Sequence, residues 1–372
     1  MSGIIAKPRS KWVDIAKGIT IAALVLIHID YNFPDSKLFP TSILLGGVWR
    51  TPVFFVIGGF FIKEEKLVDS VGFIKRKIKT LYLPLLYFVI PAVILHNTFI
   101  DIGWYDTVSE YGNKVMAYWS MGELIKNLIL SVCLAGREPI LGGMWFVYVL
   151  FMALSGLSII SYILRKIFKE DRRYELARLI VLFALCVMSC TASRLFDFTI
   201  PRFNNTLTAM WLIYCGYKLK NQLQLKFDNI YVLCLTSIIL YHNATVVGGV
   251  SLNTNFYNDA ITLTVASVAA LYVVCFISRK IENSGVGSFF ALCGHSSFYI
   301  LALHFVGYKL CTYMLMLVGV DVSLSALKAP TGNSILYLIL YFTCALLFPL
   351  FFRWLFRKIK IWIMHNILQL PS

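Results

Sequence analysis

The sequence is poor in carboxylates. It has 19 Asp and Glu residues against 34 Lys and Arg, and almost none of the carboxylates lies inside its long apolar runs. Carriers that couple transport to protons or sodium usually need acidic residues at membrane depth, so this scarcity argues against such a carrier. The sequence also lacks the internal repeat that many carriers show. A secondary transporter of a small solute or lipid-linked glycan therefore remains the second interpretation.

The nine cysteines lack the spacing of a metal site. None stands in a CxxC pair, and most lie within apolar runs. This pattern predicts small core residues and no metal ion, and it does not fit a disulfide framework. The first apolar run is not followed by a small-residue cleavage site, so we expect it to remain as the first helix.

Apolar residues are abundant, at 59% of 372, and the mean hydropathy is +0.74. Soluble domains contain roughly 45–50% apolar residues, so the bilayer must be the solvent for much of this chain. The net charge of +15 comes from short basic blocks between apolar runs, which is the pattern of membrane topology and not of nucleic-acid binding. The sequence predicts an all-α polytopic membrane protein in which residues 1–372 form a single membrane domain.

Ten apolar runs approach the length of about 20 residues that a bilayer-spanning helix needs. They are Val13–Ile29, Ile43–Ile62, Leu81–Ile100, Met144–Leu164, Leu176–Cys190, Leu207–Leu219, Ile230–Val247, Ala260–Ile277, Phe289–Val318 and Ile335–Phe356. We therefore expect about ten transmembrane helices. The apolar segment Leu124–Ala135 is too short, and we predict that it is re-entrant or interfacial.

Basic residues predict the orientation. Alternate loops between the predicted spans hold most of the Lys and Arg, including Lys75–Lys79, Arg165–Arg173 and Arg357–Lys360. The opposite loops are poorer in them, and Asp101–Tyr118 is acidic and rich in Gly and aromatic residues. Because basic loops stay inside, both termini are predicted to be cytoplasmic.

Four ionisable side chains in the predicted spans are candidates for function, because charge is costly in the bilayer. They are Lys17 and His28 in the first span, Arg50 at the head of the second and His304 in the ninth. Lys17 and His28 are about 16 Å apart along a helix and can share one face. Structural alternatives stay open: Lys17 can reach lipid headgroups, Arg50 can meet a lipid phosphate, and the histidines can be hydrogen-bonded core residues.

Two early segments resemble the membrane-bound acyltransferase-3 family, which includes bacterial enzymes that O-acetylate surface polysaccharides. Trp12–Ile19 leading to His28 is similar to the family's opening, in which a basic residue precedes a histidine by ten intervening positions. Pro52–Phe60, with Arg50 just upstream, resembles the aromatic-glycine signature of its second helix.

Two later segments extend the resemblance over nearly the whole chain. Met144–Tyr148 resembles the family's aromatic helix start after the large outer loop, and Ser297–His304 resembles its late helix ending in Leu-His. The chain has Lys17 where the family often has Arg, Gly58 where it often has Ser, and Gly143 where it often has His. No role of a serine or histidine is therefore carried over to positions 58 and 143.

The resemblance implies the transfer of an acyl group, expected to be acetyl. The donor would be acyl-coenzyme A in the cytoplasm, and the acceptor a hydroxyl of an extracytoplasmic glycan or its lipid-linked precursor. The setting would be the bacterial cytoplasmic membrane, with lipids as neighbours, no appended soluble domain and no permanently bound cofactor.

Roles for individual residues follow from the same resemblance. His28 would act as general base on the acceptor hydroxyl, or as a nucleophile that forms an acyl-histidine. Arg50 would stabilise the oxyanion or orient His28. Trp145 and His304 are candidates for the pocket. The donor's phosphates would bind a basic set: Lys17, Lys75, Arg76, Lys77 and Lys79.

Overall fold

A computed structural model describes residues 10–31, 47–105, 116–136, 138–196, 200, 202–325, 329–332 and 334–366. The predicted all-helical architecture is confirmed in these ranges, apart from two short parallel strands, β1 (Ile29–Tyr31) and β2 (Ala329–Gly332). Parts of the predicted span Ile43–Ile62 and of the acidic loop Asp101–Tyr118 lie outside the described residues.

The structure describes fifteen α-helices. They are α1 (Lys11–Ile27), α2 (Thr51–Gly59), α3 (Glu64–Val68), α4 (Ser70–Lys77), α5 (Leu83–Ile94), α6 (His96–Asp101), α7 (Met121–Val132), α8 (Trp145–Ile167), α9 (Asp171–Leu195), α10 (Phe203–Tyr217), α11 (Ile230–His242), α12 (Ala260–Lys280), α13 (Gly285–His295), α14 (Ser297–Leu317) and α15 (Ile335–Asn366). A π-helical turn, Ile78–Tyr82, joins α4 to α5, and a 3-10 segment, Pro139–Met144, leads into α8.

Seven helical segments in the described ranges are long and apolar enough to cross a membrane. They are Ser70–Ile94, Pro139–Ile167, Asp171–Leu195, Ile230–Val247, Ala260–Lys280, Ser297–Leu317 and Ile335–Trp362. The chain is thus a multi-pass membrane protein, and the expected number of ten is not confirmed. The other three predicted spans overlap α1, α2 and α10, which have 17, 9 and 15 residues. The low polarity of a segment does not determine how many of its residues become helical.

The predicted span Phe289–Val318 is wrong at its start, because two helices meet there. α13 ends at His295, and Ser296 separates it from α14. The backbone N–H of Ser296 donates to the carbonyl of Leu292, and Arg353 of α15 donates to the Ser296 hydroxyl. Continuous hydrophobicity across this point hides the break.

Helix α1 lies in the interior and packs along α13. A Cβ added at Gly18 would lie 1.9 Å from the carbonyl oxygen of Phe290, and one added at Gly294 would lie 1.8 Å from that of Asp14. Only glycine permits so close an approach of two helices, as at small-residue crossings in membranes. This crossing holds the helix that carries Lys17 and His28 against the α13–α14 pair.

The segment predicted as re-entrant or interfacial, Leu124–Ala135, overlaps the 12-residue helix α7, which begins at Met121. Ser120 and Glu123 form a capping box at its start, and apolar side chains such as Ile125 and Ile129 are exposed. Hydrogen bonds from Ser120 are the main cause that lowers the pKa of Glu123. The helix is shorter than a span, and its placement at the membrane surface stays a prediction.

Candidate active site

The two histidines predicted on separate helices lie in contact. His28 caps the end of α1, and His304 is fully buried in α14. Their nitrogens, Nδ1 of His28 and Nε2 of His304, are 3.1 Å apart, and the rings stack with centroids 5.2 Å apart. Tyr308, one turn beyond His304, donates to the carbonyl of Val25 at 2.6 Å and fixes α14 to the end of α1.

The hydrogen-bond partners determine the protonation of the pair. Nδ1 of His304 lies 3.0 Å from the carbonyl oxygens of Ile300 and Leu301, and a carbonyl can only accept. Nδ1 therefore carries the proton, and Nε2 of neutral His304 accepts from Nδ1–H of His28. In neutral His28 this leaves Nε2 as the unprotonated, basic nitrogen.

The 3-10 segment Pro139–Met144 covers His304. A Cβ added at Gly143 would lie 2.9 Å from Cε1 of His304 and 3.1 Å from the carbonyl oxygen of Leu301, whereas one at Gly142 would lie 3.5 Å from the Phe305 ring. The His304 ring thus fills the space next to Gly143.

An apolar cavity of about 110 Å³ lies between α1, α2, α8 and α14. Its lining includes Ile21 and Leu24, which stand between Lys17 and His28 on one face of α1. Leu301, one turn before His304, also lines it. The cavity therefore adjoins the helical turns that lead to both histidines.

Lys17 lies toward the other end of α1, half-buried. Its Nζ is 3.1 Å from Oδ1 of Asp14 and 5.0 Å from the ring centroid of Phe61. Asp14 and Lys17 stand one turn apart in α1, and this spacing brings the two charges together. The ion pair and the ring both stabilise a cation at this depth.

The basic group Lys75–Lys79 occupies the last turn of α4 and the π-helical turn. Lys75, Arg76 and Lys79 are exposed, and Lys77 lies over the ring of Phe73 at 5.0 Å. Leu81, two residues after Lys79, lines the apolar cavity. This segment thus leads from a basic surface to the cavity wall.

Arg50 and Trp145 stand next to residues that line the cavity. Thr51 and Phe54 follow Arg50 at the start of α2, and Phe146 follows Trp145 in α8. Trp145 itself is half-buried and meets Phe146 edge to face. Nη1 of Arg50 is buried and has no hydrogen-bond partner among the residues that the structure describes. A buried charged donor without a partner is costly, so this group is suited to meeting an acceptor on a ligand.

A family model described as an acyltransferase domain matches residues 10–354. The chain belongs to the acyltransferase-3 family. This membrane acyltransferase carries the histidine pair and the adjoining cavity inside the matched region. No curated protein and no solved structure matches the chain.

The acyltransferase contains a second fully buried histidine, His96, at the start of α6. His96 lies 3.0 Å from Oε2 of Glu138 through Nδ1 and 3.1 Å from the carbonyl of Ala117 through Nε2. Tyr105 donates to the same carboxylate and accepts from the backbone N–H of Ile140. Burial and then the charge of Glu138 raise the pKa of Tyr105. The network anchors the start of the 3-10 segment that covers His304.

Two further buried cations were missed, although both stand in predicted spans. Nη1 of Arg178 in α9 donates to both carboxylate oxygens of Glu64 at 3.0 Å. Nζ of Lys309 in α14 donates to the carbonyls of Trp104 and Leu324 at 2.5 and 2.6 Å. A charged residue inside an apolar run was the available signal. These contacts tie helices and loops together and indicate structural roles.

Proposed function

We propose that the protein transfers an acyl group, expected to be acetyl, from acyl-coenzyme A to a hydroxyl of an extracytoplasmic glycan or its lipid-linked precursor. The observation that carries this proposal is the His28–His304 pair beside an apolar cavity, with Lys17 toward the opposite end of the same helix. A donor held by its phosphates near Lys17 could extend its thioester along the cavity toward His28.

The proposed orientation places Lys17 toward the cytoplasm and His28 toward the outside of a bacterial cytoplasmic membrane. The basic loops and both termini are then cytoplasmic. Cysteines introduced at Asp101 and Tyr118 should react with an impermeant thiol reagent in intact cells. Labelling of a cysteine at Arg172 without permeabilisation would show that the orientation is reversed.

The proposed chemistry starts from the unprotonated Nε2 of His28. As the acceptor oxygen attacks the thioester carbonyl, its proton passes to Nε2, and the imidazolium so formed is held by His304 through Nδ1–H. The C–S bond breaks, and the proton passes from Nε2 to the leaving thiolate. The products are the acylated glycan and free coenzyme A, and His304 acts as a positioning residue.

A covalent route uses the same atom. Nε2 of His28 attacks the thioester, coenzyme A leaves, and the acceptor hydroxyl then takes the acyl group from the acyl-histidine. Both routes place negative charge on the carbonyl oxygen. The buried Nη1 of Arg50 supports a role for that residue in stabilising this charge or in orienting His28.

The donor-binding part of the proposal assigns the phosphates to the basic end. Lys17 would contact them directly, and Lys75, Arg76, Lys77 and Lys79 would add positive potential beside the cavity wall at Leu81. Trp145, next to Phe146 at the cavity, would help to position the thioester.

Mass spectrometry of surface polysaccharide tests the function directly. Cells that express the chain should show sugars heavier by the mass of an acyl group, and cells that lack it or express His28→Ala should not. Unmodified sugars in all three strains, with altered export of the glycan, would support a transporter and contradict the acyltransferase proposal.

A further inference from the structure

A second and larger cavity, of about 520 Å³, opens near the first turn of α1. Three cations line it: Lys220 and Lys226, which follow α10, and Arg279 near the end of α12. Trp12 and Phe227 add aromatic rings, Asn221 and Gln224 add amide groups, and Leu225 completes the lining. We call this cavity the basic pocket.

The charges of the basic pocket are not neutralised within the described part of the chain. No ion pair joins Lys220, Lys226 or Arg279 to a carboxylate of a described residue. The nearby carboxylate of Glu282 accepts from the backbone N–H of Trp12 at 3.2 Å and thereby caps α1. Three cations in one concave site, together with amide and aromatic groups, attract a polyanion strongly.

The basic pocket is connected to the candidate active site through α1 and the end of α2. Trp12 and Lys17 stand on the same helix, about 7.5 Å apart along its axis. The centroids of the Trp12 and Phe60 rings are 6.3 Å apart. Nζ of Lys17 lies over the ring of the next residue, Phe61. From Lys17, the same helix leads past Ile21 and Leu24 in the apolar cavity to His28.

We infer that the basic pocket binds the nucleotide end of the acyl-coenzyme A donor. That end carries adenine and three phosphate groups, which match an aromatic and amide lining with three cations. The phosphate group next to the pantetheine arm then lies near Lys17, and the arm itself enters the apolar cavity. This assignment rests on the proposed function, and it extends donor binding to four residues that sequence reasoning did not select: Trp12, Lys220, Lys226 and Arg279.

The test compares a complete donor with one that lacks the nucleotide. The purified full chain in lipid nanodiscs is titrated with acetyl-coenzyme A and with S-acetylpantetheine. In the variant Lys220→Gln/Lys226→Gln/Arg279→Gln, acetyl-coenzyme A should bind about 10²-fold more weakly or worse, because three charge-assisted contacts are lost. Binding of S-acetylpantetheine should be unchanged, which also shows that the variant is folded.

The matched control is Lys166→Gln/Lys169→Gln/Arg172→Gln, which removes the same charge from another basic segment. It should bind both donors like the wild type, which separates contacts in the pocket from the general positive field. Equal acetyl-coenzyme A binding by the pocket variant and the wild type would overturn the assignment while leaving the proposed function intact. A wild-type protein that binds neither donor would overturn both.

The lipid composition of the nanodiscs distinguishes donor phosphate from lipid phosphate. The difference between the pocket variant and the wild type should persist in phosphatidylcholine alone. Adenosine 3′,5′-bisphosphate should compete with acetyl-coenzyme A for the wild type. If it does not compete, and the pocket variant loses only retention of phosphatidylglycerol, then the pocket is a lipid-headgroup site and the inference is wrong.

Discussion

Two buried histidines differ in the chemistry that their neighbours permit. Both nitrogens of His96 face oxygen atoms, those of Glu138 and of the Ala117 carbonyl, so this ring is held between two oxygen partners. His304 faces backbone carbonyls through Nδ1 and His28 through Nε2. Its Nε2 can therefore accept a hydrogen bond from the His28 ring. Histidine is equally buried in both places, and only the partners distinguish a ring held between two oxygen atoms from a ring in contact with a second histidine.

The largest effect is expected for His28→Ala, which removes the basic nitrogen. Loss of a general base costs about 10²–10⁴-fold in rate, and loss of an acyl-carrying nucleophile should leave essentially no transfer. Acetyl-coenzyme A binding and membrane expression should stay at the wild-type level. Transfer of radiolabelled acetyl groups by purified protein measures the effect. Wild-type transfer by this variant would remove His28 from the catalytic centre.

The second largest effect is expected on the stability of the fold and not on the rate of transfer. Glu138→Gln leaves His96 without its buried carboxylate, and breaking a buried pair on one side costs about 3–5 kcal/mol. The melting temperature should fall strongly, while the rate per folded molecule changes little. Replacing both partners, with His96→Phe and Glu138→Leu, should recover part of the loss. A selective loss of rate in a stable Glu138→Gln protein would show that this network acts in catalysis.

His304→Ala should reduce kcat by roughly 10²-fold, because His28 loses the group that orients it. Because His304 lies in contact with His28, this variant is not an independent control for His28→Ala. Acetyl-coenzyme A binding should be unchanged, and His304→Gln, which can still accept a hydrogen bond, should recover part of the rate. A wild-type kcat for His304→Ala would mean that the contact is structural only.

The smallest effect is expected at the glycines that cover the pair. Gly143→Ala places a methyl group against Cε1 of His304. We expect kcat to fall by about 10-fold, because a small displacement of His304 and His28 already lowers the rate of transfer. Gly142→Ala makes an ordinary contact with Phe305 and serves as the control, with near-wild-type kcat. Equal rates for the two variants would show that the position of the His304 ring is not limiting.

The sequence by itself determined properties that depend on composition and on neighbours along one helix. Hydropathy determined the membrane class, and the motifs of the first and second helices indicated the family that the match over residues 10–354 confirmed. Asp14 and Lys17 are three positions apart, a spacing that brings their side chains together on adjacent turns of one helix and that is enough to account for their ion pair. The roles assigned to the candidate residues stay predictions.

Only the tertiary structure decided the contacts between helices. His28 and His304 are 276 positions apart, and no periodicity within either helix could show that their rings touch. The break at Ser296, the fit of Gly143 against His304 and the basic pocket likewise depend on how distant segments pack. Apolar patterning determines that a helix is removed from water. Which helices it packs against depends on side-chain shape, close backbone approach and hydrogen bonding.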